Sequence, residues 1–272
     1  WSMVAPEEIE RIDVIYGPFS AAYPGNSMGA VVEITTRDPQ AFEASARVLG
    51  ARQSYSFYGV TDSYNTKQAS ALIGSRSGPW SLRLSASYLD TQTQPLNLIT
   101  VAQPAAPAAG GTAVSGAIPD TNRLGQPIFV IGSGSIETKQ QLNLKTRVAL
   151  DLTPHWQANY PFGQFTSDVD SKVQTVLRDA SGNPIYSGTD LNLNGYRFTG
   201  ANAIGAGSFS STSGRYTWNQ DHQSHSVGLK SNTRSEWDWE AVTSVFRYVQ
   251  DRNRIPGTAL PIADASGAGT IV

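Results

Sequence analysis

Alternation of apolar and polar residues dominates this chain beyond residue 40. Between Trp80 and Tyr88 every second residue is apolar or aromatic, and the intervening residues are Ser or Arg. The segment from Leu142 to Leu152 alternates in the same way, with Thr146 as the one interruption of its apolar series. A period of two predicts strands with one apolar and one polar face. A water-soluble antiparallel sheet has the same period, so the pattern alone leaves the surroundings of the apolar face open.

The same reading along the chain predicts seven strands, near residues 43–59, 64–75, 80–92, 139–152, 156–167, 216–231 and 237–249. Short links join the second strand to the third, the fourth to the fifth and the sixth to the seventh. Long links run from about 93 to 138 and from 168 to 215. Short turns at one end and long loops at the other are typical of a transmembrane barrel, whereas loops of that length are uncommon in a compact soluble domain.

Tryptophan follows each of the three short links. Trp80, Trp156 and Trp237 stand just after them, and Trp239 comes two residues later. Tryptophans at one height form the aromatic girdle of a membrane barrel, with the indole N–H among the headgroups. Core tryptophans scattered through a soluble protein would explain their presence but not this placement. We therefore expect an all-β fold that is part of an antiparallel transmembrane barrel.

Composition narrows the function classes. The 272 residues include no Cys, which excludes disulfides and Cys-ligated metals. A net charge of −2 lacks the basic excess of a nucleic-acid-binding protein, so no nucleic-acid partner is expected. No apolar run is long enough for a spanning helix. The 15% of charged residues is nevertheless low for a soluble domain, and a barrel that spreads its apolar residues over alternate positions explains this.

Charge divides the chain near residue 40. Residues 1–40 carry six acids and two bases, whereas residues 41–272 have a small positive net charge. The first part contains two short predicted strands, RIDVIYG and AVVEITT, around a Gly- and Pro-rich turn. The polar face of the predicted strands carries Arg83, Lys145 and Arg147. The acidic segment should therefore be attracted to that face.

Residues 9–39, IERIDVIYGPFSAAYPGNSMGAVVEITTRDP, resemble the C-terminal half of the plug domain of TonB-dependent outer-membrane receptors. The plug-motif positions that this chain shares with the family pattern are Glu10, Arg11, Gly17, Pro18, Ser20, Tyr23, Gly29, Val31, Thr36 and Arg37, and Asp13 stands where the pattern has Glu. Departures from the pattern are Tyr16 in place of a base, Pro24 and Ala30 in place of glycines, and Glu33 in place of Asn.

The resemblance implies a division into the C-terminal part of a plug at 1–40 and the N-terminal part of a barrel at 41–272. The expected fold is then an incomplete antiparallel barrel, about seven strands of a family-typical 22, preceded by part of an α+β plug. The resemblance also implies a receptor in the outer membrane of a Gram-negative bacterium, in contact with outer-membrane lipid. Such receptors take up a scarce ligand, most often a ferric siderophore. Energy comes from TonB–ExbB–ExbD, which we expect to act on the full-length protein only, because the family's TonB-contacting segment is not in this chain.

Candidate ligand contacts are Phe19 and Asn26 in the apical turn of the plug, and Tyr186, Tyr196 and Phe198 in the second long loop. Packing within the loop is the alternative role for these aromatics. His222 and His225 are the one pair that resembles metal ligands, but residues three apart on a strand face opposite sides. We therefore expect no metal or cofactor, and no enzyme, since no catalytic arrangement stands out. A passive outer-membrane porin and a secreted all-β binding protein are the alternative functions.

Overall fold

Nearly all regular structure in the computed structural model is β-strand. It describes residues 8–16, 30–209, 213–233, 236–256 and 269–271. Within these ranges no helix is long and apolar enough to cross a membrane. A short 3-10 helix spans Ala206–Phe209, and the strands are β1 (Ile9–Tyr16), β2 (Ala30–Thr36), β3 (Glu43–Phe57), β4 (Val60–Ser77), β5 (Trp80–Gln92), β6 (Asn97–Ala102), β7 (Thr112–Val114), β8 (Ile118–Thr121), β9 (Pro127–Thr153), β10 (Trp156–Thr175), β11 (Gly188–Leu193), β12 (Tyr196–Ile204), β13 (Tyr216–Ser231), β14 (Glu240–Pro256) and β15 (Gly269–Ile271).

The main sheet is an antiparallel meander. Its strands are paired in the order β3, β4, β5, β9, β10, β13 and β14, with β15 at the β14 edge. The seven predicted strands correspond to the first seven of these, so the all-β class is confirmed, whereas β15 and the strands of the long links were not predicted. In the part of the chain that the structure describes, β3 and β15 are the two ends of the strand order and do not pair with each other.

The two faces of this sheet differ in the sense that the alternation predicts. On β5, the side chains of Trp80, Leu82 and Leu84 are more than two-fifths exposed, whereas Ser81 and Arg83 are buried. On β9, Leu142 and Leu144 are exposed and Asn143 is buried. We call the two sides the apolar face and the polar face. The exposed side of the sheet is therefore the apolar one, which is the reverse of a sheet packed in a water-soluble protein.

Short turns join the strands at the end of the sheet that we call the turn end. Gly78 and Pro79 connect β4 to β5, and Pro154 and His155 connect β9 to β10. At the opposite end, the loop end, Tyr58 and Gly59 form a two-residue turn between β3 and β4, with positive φ at both positions. The prediction of a longer link over residues 60–63 was wrong, because a Tyr with positive φ is uncommon and gives no sequence signal.

The link between β13 and β14 is also longer than predicted. Strand β14 begins at Glu240, so Trp237 and Trp239 precede the strand instead of opening it. Hydrogen bonds to the Asp238 carboxylate hold the turn. They come from the Thr233 backbone N–H (2.7 Å), the Thr233 hydroxyl (2.9 Å) and the Ser231 hydroxyl (3.0 Å).

The two long links fold together at the loop end. Strands β6 and β8 pair with β9, and β7 pairs in parallel with β11, which pairs with β12. Their apolar side chains form what we call the loop core, made of Ile99, Val114, Ala117, Phe129, Ile131, Val173, Leu177, Leu191, Leu193, Phe198, Ile204 and Phe209. Segments predicted as plain loops thus contain strands, and β9 and β10 extend well beyond their predicted limits at 139 and 167.

Candidate functional site: an ion-pair cluster on the polar face

The N-terminal segment forms a two-stranded antiparallel ribbon, as predicted. Strands β1 and β2 pair with Val14 opposite Val32 and Asp13 opposite Glu33. Most side chains of β1 are exposed, including Glu10 and Arg11. The Arg11 Nε lies 2.7 Å from the Asp13 Oδ2 on the ribbon surface, so these two plug-motif residues pair with each other and not with the sheet.

Glu8, at the base of this ribbon, is the centre of the contact with the sheet. Its side chain is 1% exposed. The Lys145 Nζ lies 2.6 Å from Glu8 Oε2, and the Ser85 hydroxyl donates to Glu8 Oε1 at 2.9 Å. Ser85 and Lys145 are register partners on β5 and β9, both on the polar face. One carboxylate therefore bridges two neighbouring strands of the sheet.

Arg83 and Arg147 bind the end of β2, which lies beside Glu8 because Ile9 pairs with Thr36 and the Arg37 backbone N–H donates to the Glu8 carbonyl. The Arg83 guanidinium donates to the backbone carbonyl of Arg37 and to the Thr36 hydroxyl (3.1 Å), and lies 3.9 Å from Glu8 Oε2. The Arg147 Nη1 lies 2.9 Å from Asp38 Oδ1. The expected attraction between the acidic segment and the basic positions Arg83, Lys145 and Arg147 is confirmed by these contacts.

A cavity of about 360 Å³ adjoins the cluster on the polar face. Glu8, Arg83, Lys145 and Arg147 line it on one side, and Asn159 and Glu240 line it on the other. Its charged walls suit polar groups and water, and low-dielectric surroundings strengthen each ion pair there. The arrangement can act as a latch that releases the ribbon when the charges are separated.

The remaining plug-motif residues are distributed differently. Arg37 follows β2, and its Nη2 lies 3.7 Å from Glu43 Oε2 at the start of β3. Gly17, Pro18, Ser20, Tyr23 and Gly29, together with the candidate ligand contacts Phe19 and Asn26, lie outside the described residues. Sequence reasoning did not single out Glu8. Its one signal was membership of the acidic group in residues 1–40, because nothing in the local pattern separates it from Glu7 or Glu10.

Of the other candidate ligand contacts, Phe198 is part of the loop core, and Tyr186 and Tyr196 pack against it. Phe198 is 1% exposed and meets Phe129 edge to face, with ring centroids 6.1 Å apart. Tyr196 also contacts Phe129 (5.8 Å), and Tyr186 contacts Phe209 (5.2 Å). This is the self-packing arrangement that the sequence left as an alternative. In it Phe198 contacts protein on all sides, while Tyr186 and Tyr196 are only partly buried.

The predicted girdle tryptophans all lie at the turn end. Trp80 opens β5 and Trp156 opens β10, opposite Ser231. The Trp239 backbone N–H donates to the Ser231 hydroxyl at 2.7 Å, which brings Trp239 close to the row of Trp156. The side chains of Trp80, Trp237 and Trp239 are more than half exposed. Three of these tryptophans are therefore exposed at the turn end, and Trp156 is partly buried there.

His222 and His225 point to opposite faces, as predicted. The His222 Nε2 lies 3.0 Å from Asp251 Oδ2, and its ring contacts Phe246 and Tyr248. The His225 Nδ1 lies 2.8 Å from the Tyr160 hydroxyl on the other side of the sheet. Among the residues with described positions, no three His, Asp or Glu side chains are grouped closely enough to hold a metal ion.

Comparison with known proteins finds no relative of this chain. No family model matches the chain, and neither a curated protein nor a solved structure matches it. Functional inference therefore depends on the exposed apolar face, on the ion pairs between the ribbon and the sheet, and on the motif in residues 9–39.

Proposed function

We propose that this chain is part of a TonB-dependent receptor in the outer membrane of a Gram-negative bacterium. The receptor imports a scarce ligand, with a ferric siderophore as the first candidate, and TonB–ExbB–ExbD supplies the energy. Residues 1–40 act as part of the plug, and the meander from β3 to β14 acts as part of the barrel wall. The loop core faces the outside of the cell, where it meets the ligand.

The observation that carries this proposal is the exposure of the apolar face. Leu82, Leu84 and Leu144 are each more than two-fifths exposed within long strands, on the same face as Tyr88 and Ile73. Moving one such side chain from water into an apolar phase is worth about 1.5–3 kcal/mol. A row of them facing water would be costly and prone to aggregation, whereas lipid would satisfy it.

The docked ribbon favours a gated receptor over a passive porin. A porin needs an open lumen, and the polar face here holds a segment attached by Glu8, Arg83 and Lys145. Such a contact suits a receptor in which the segment must stay docked until an external energy source displaces it. The secreted all-β binding protein, by contrast, gives no reason for an exposed apolar face several strands wide.

The proposal requires the sheet to close in the membrane. Unpaired backbone groups at a strand edge cost several kcal/mol each in lipid. The described meander has its edges at β3 and β15, so the proposed barrel includes further strands between them.

A labelling experiment tests the membrane location. The chain has no Cys, so single substitutions give unambiguous labelling sites. In vesicles, Leu82→Cys, Leu84→Cys and Tyr88→Cys should react with a lipid-phase maleimide, and Ser81→Cys, Ser85→Cys and Ser87→Cys should not. Uniform labelling by a water-soluble maleimide on Leu82→Cys and Leu84→Cys, without detergent or lipid, would favour the secreted binding protein.

Transport is tested in cells that carry the complete gene. Deleting the gene should abolish uptake of radiolabelled iron from one ferric siderophore, and deleting tonB should abolish the same uptake. Uptake that survives loss of TonB and rises linearly with ligand concentration would identify a passive porin instead.

A further inference from the structure

A polar pocket lies on the same side of the sheet as the apolar residues, close to the loop end. It has a volume of about 510 Å³ and is lined by Arg52, Lys67, Asp90, Gln92 and Thr138. Lys67 is six residues from Ile73 on β4, and Asp90 is six residues from Leu84 on β5. An even spacing on a strand keeps side chains on one face, so this pocket opens on the apolar face.

An apolar trough continues from this pocket along the same strands toward the turn end. It has a volume of about 320 Å³ and is lined by Ala71, Ile73, Leu84, Ala86, Leu144 and Thr146. Ala71 and Ala86 are register partners, and Ala86 is also opposite Leu144. Two small side chains side by side make the floor, while the larger side chains around them make the walls.

The two cavities are aligned along β4, β5 and β9. From Lys67 to Ala71 the strand rises about 13 Å, which is comparable to a lipid headgroup and the first part of its acyl chain. Arg52 pairs with Asn65, and Lys67 pairs with Gly50, so the two cations are diagonal neighbours within reach of one anion. Gly50 leaves the space between them open, since nothing lies within 4 Å of a Cβ placed there.

Charge identifies the class of the headgroup. The pocket holds the two cations Arg52 and Lys67 against the single carboxylate of Asp90. One Arg52 N–H is already used, because its Nη2 donates to the Ser63 hydroxyl at 2.9 Å, and this bond fixes the guanidinium at the rim. Guanidinium and ammonium groups together form strong charge-assisted hydrogen bonds to phosphate oxygens.

We propose that this pair of cavities binds one acidic membrane lipid. Its phosphate lies between Arg52 and Lys67, and one acyl chain lies in the trough over Ala71 and Ala86. A purely polar anion would leave the trough unused, and an uncharged lipid would leave the net positive charge of the pocket unmatched, since Asp90 is the register partner of Lys67 and balances only one of the two cations. This inference rests on the proposed membrane location of the apolar face.

The test is lipid retention by the full chain in dodecyl maltoside micelles, measured by native mass spectrometry with added phosphatidylglycerol. The wild-type chain should retain one phosphatidylglycerol about tenfold more tightly than phosphatidylcholine. R52Q/K67Q should lose that preference. The control R123Q/K230Q removes the same charge from exposed positions elsewhere and should keep it.

A second pair of variants examines the trough. Ala71→Phe fills it and should weaken phosphatidylglycerol retention about tenfold, while Ala158→Phe, on the apolar face of β10, should leave retention unchanged. Millimolar inorganic phosphate should not displace the lipid. If phosphate displaces the lipid and Ala71→Phe retains phosphatidylglycerol as the wild-type chain does, the pocket is an anion site only and the proposal is overturned.

Equal retention by the wild-type chain and R52Q/K67Q would also overturn the lipid site, but it would leave the membrane location intact if the chain still enters micelles. A chain that stays dispersed in water without detergent and retains no lipid would contradict both. The two failures are therefore distinguishable.

Discussion

The Lys145 Nζ lies 2.6 Å from the Glu8 Oε2, and this contact joins two parts of the chain that are far apart in sequence. The Glu8 side chain is 1% exposed, so its charge is balanced by Lys145 and Arg83 and not by water. Removing one partner of a buried pair leaves an uncompensated charge, which costs more than the pair itself is worth.

Glu8→Gln should therefore loosen the ribbon from the sheet. We expect the docking free energy to fall by about 3–5 kcal/mol, because Lys145 and Arg83 lose their shared counterion. The readout is hydrogen exchange of the β2 backbone in the folded chain. Glu10→Gln, on the exposed surface of β1, is the matched control. Equal exchange in the two variants would argue against the ion-pair cluster as a latch.

The environment of the apolar face is tested by Leu84→Lys. If this face contacts lipid, a charge near the middle of the strand should cost about 2–4 kcal/mol in vesicles, measured by urea unfolding. Gln68→Lys places the same charge on the polar face and should cost little. Leu84 is 43% exposed, so in a soluble protein both substitutions would be mild. Mild effects of both would therefore contradict the membrane location.

Gly132→Ala tests the packing under the loop core. A Cβ on Gly132 would lie 2.3 Å from the backbone oxygen of Gln174 and 2.8 Å from the Phe209 ring. Because a backbone oxygen cannot swing aside, the strands must separate, at about 1–3 kcal/mol. The expected result is faster proteolysis within residues 97–209. Gly50→Ala is the control, since its Cβ would meet open space, and identical proteolysis of both variants would contradict the close packing.

The turn before β14 should respond to acid. Hydrogen bonds from the Thr233 backbone N–H and hydroxyl, and then from Ser231, hold the pKa of Asp238 below its usual value. A lowered carboxyl pKa stabilises the fold above the unfolded-state pKa, and this stabilisation is lost as the pH falls through the folded-state value. When the pH is lowered below about 4, the Thr233 and Trp239 amides should therefore lose protection from hydrogen exchange.

Asp238→Ala should remove that protection already at neutral pH, as followed by amide exchange. Glu236→Ala changes an acid in the same turn that makes none of these bonds to Thr233 and Ser231, and it should retain the wild-type pH response. An unchanged acid response in Asp238→Ala would show that another group controls the turn.

Much of the main sheet could be predicted because its signal is local. Period two along Trp80–Tyr88 identifies both the strand and its two faces, and the register follows from short turns such as Gly78–Pro79. The basic positions Arg83, Lys145 and Arg147 were predictable for the same reason, since alternation places them on one face. Their partner Glu8 was not, because which of several acids meets them depends on the angle at which the ribbon docks.

The loop core could not be predicted from the sequence. Its strands are short, and their apolar residues find partners in the other long link, as Val114 does with Leu193. No pattern within either link records that pairing. The same absence of a sequence pattern applies to Tyr186, Tyr196 and Phe198, which were predicted to contact a ligand. The sequence around an aromatic residue in a loop does not indicate which side chains it packs against.

The parallel pairing of β7 with β11 has a consequence for the order of folding. Thr112 and Leu191 are partners although about 80 residues separate them, and closing a loop of that length is entropically costly. The β9–β10 hairpin reduces this cost, because its two-residue turn brings together the end of the first long link and the start of the second. Contacts of high sequence separation form after local ones. We therefore expect the β9–β10 hairpin to form before β7 pairs with β11, so that the surface at the loop end acquires its native shape after the hairpin that supports it.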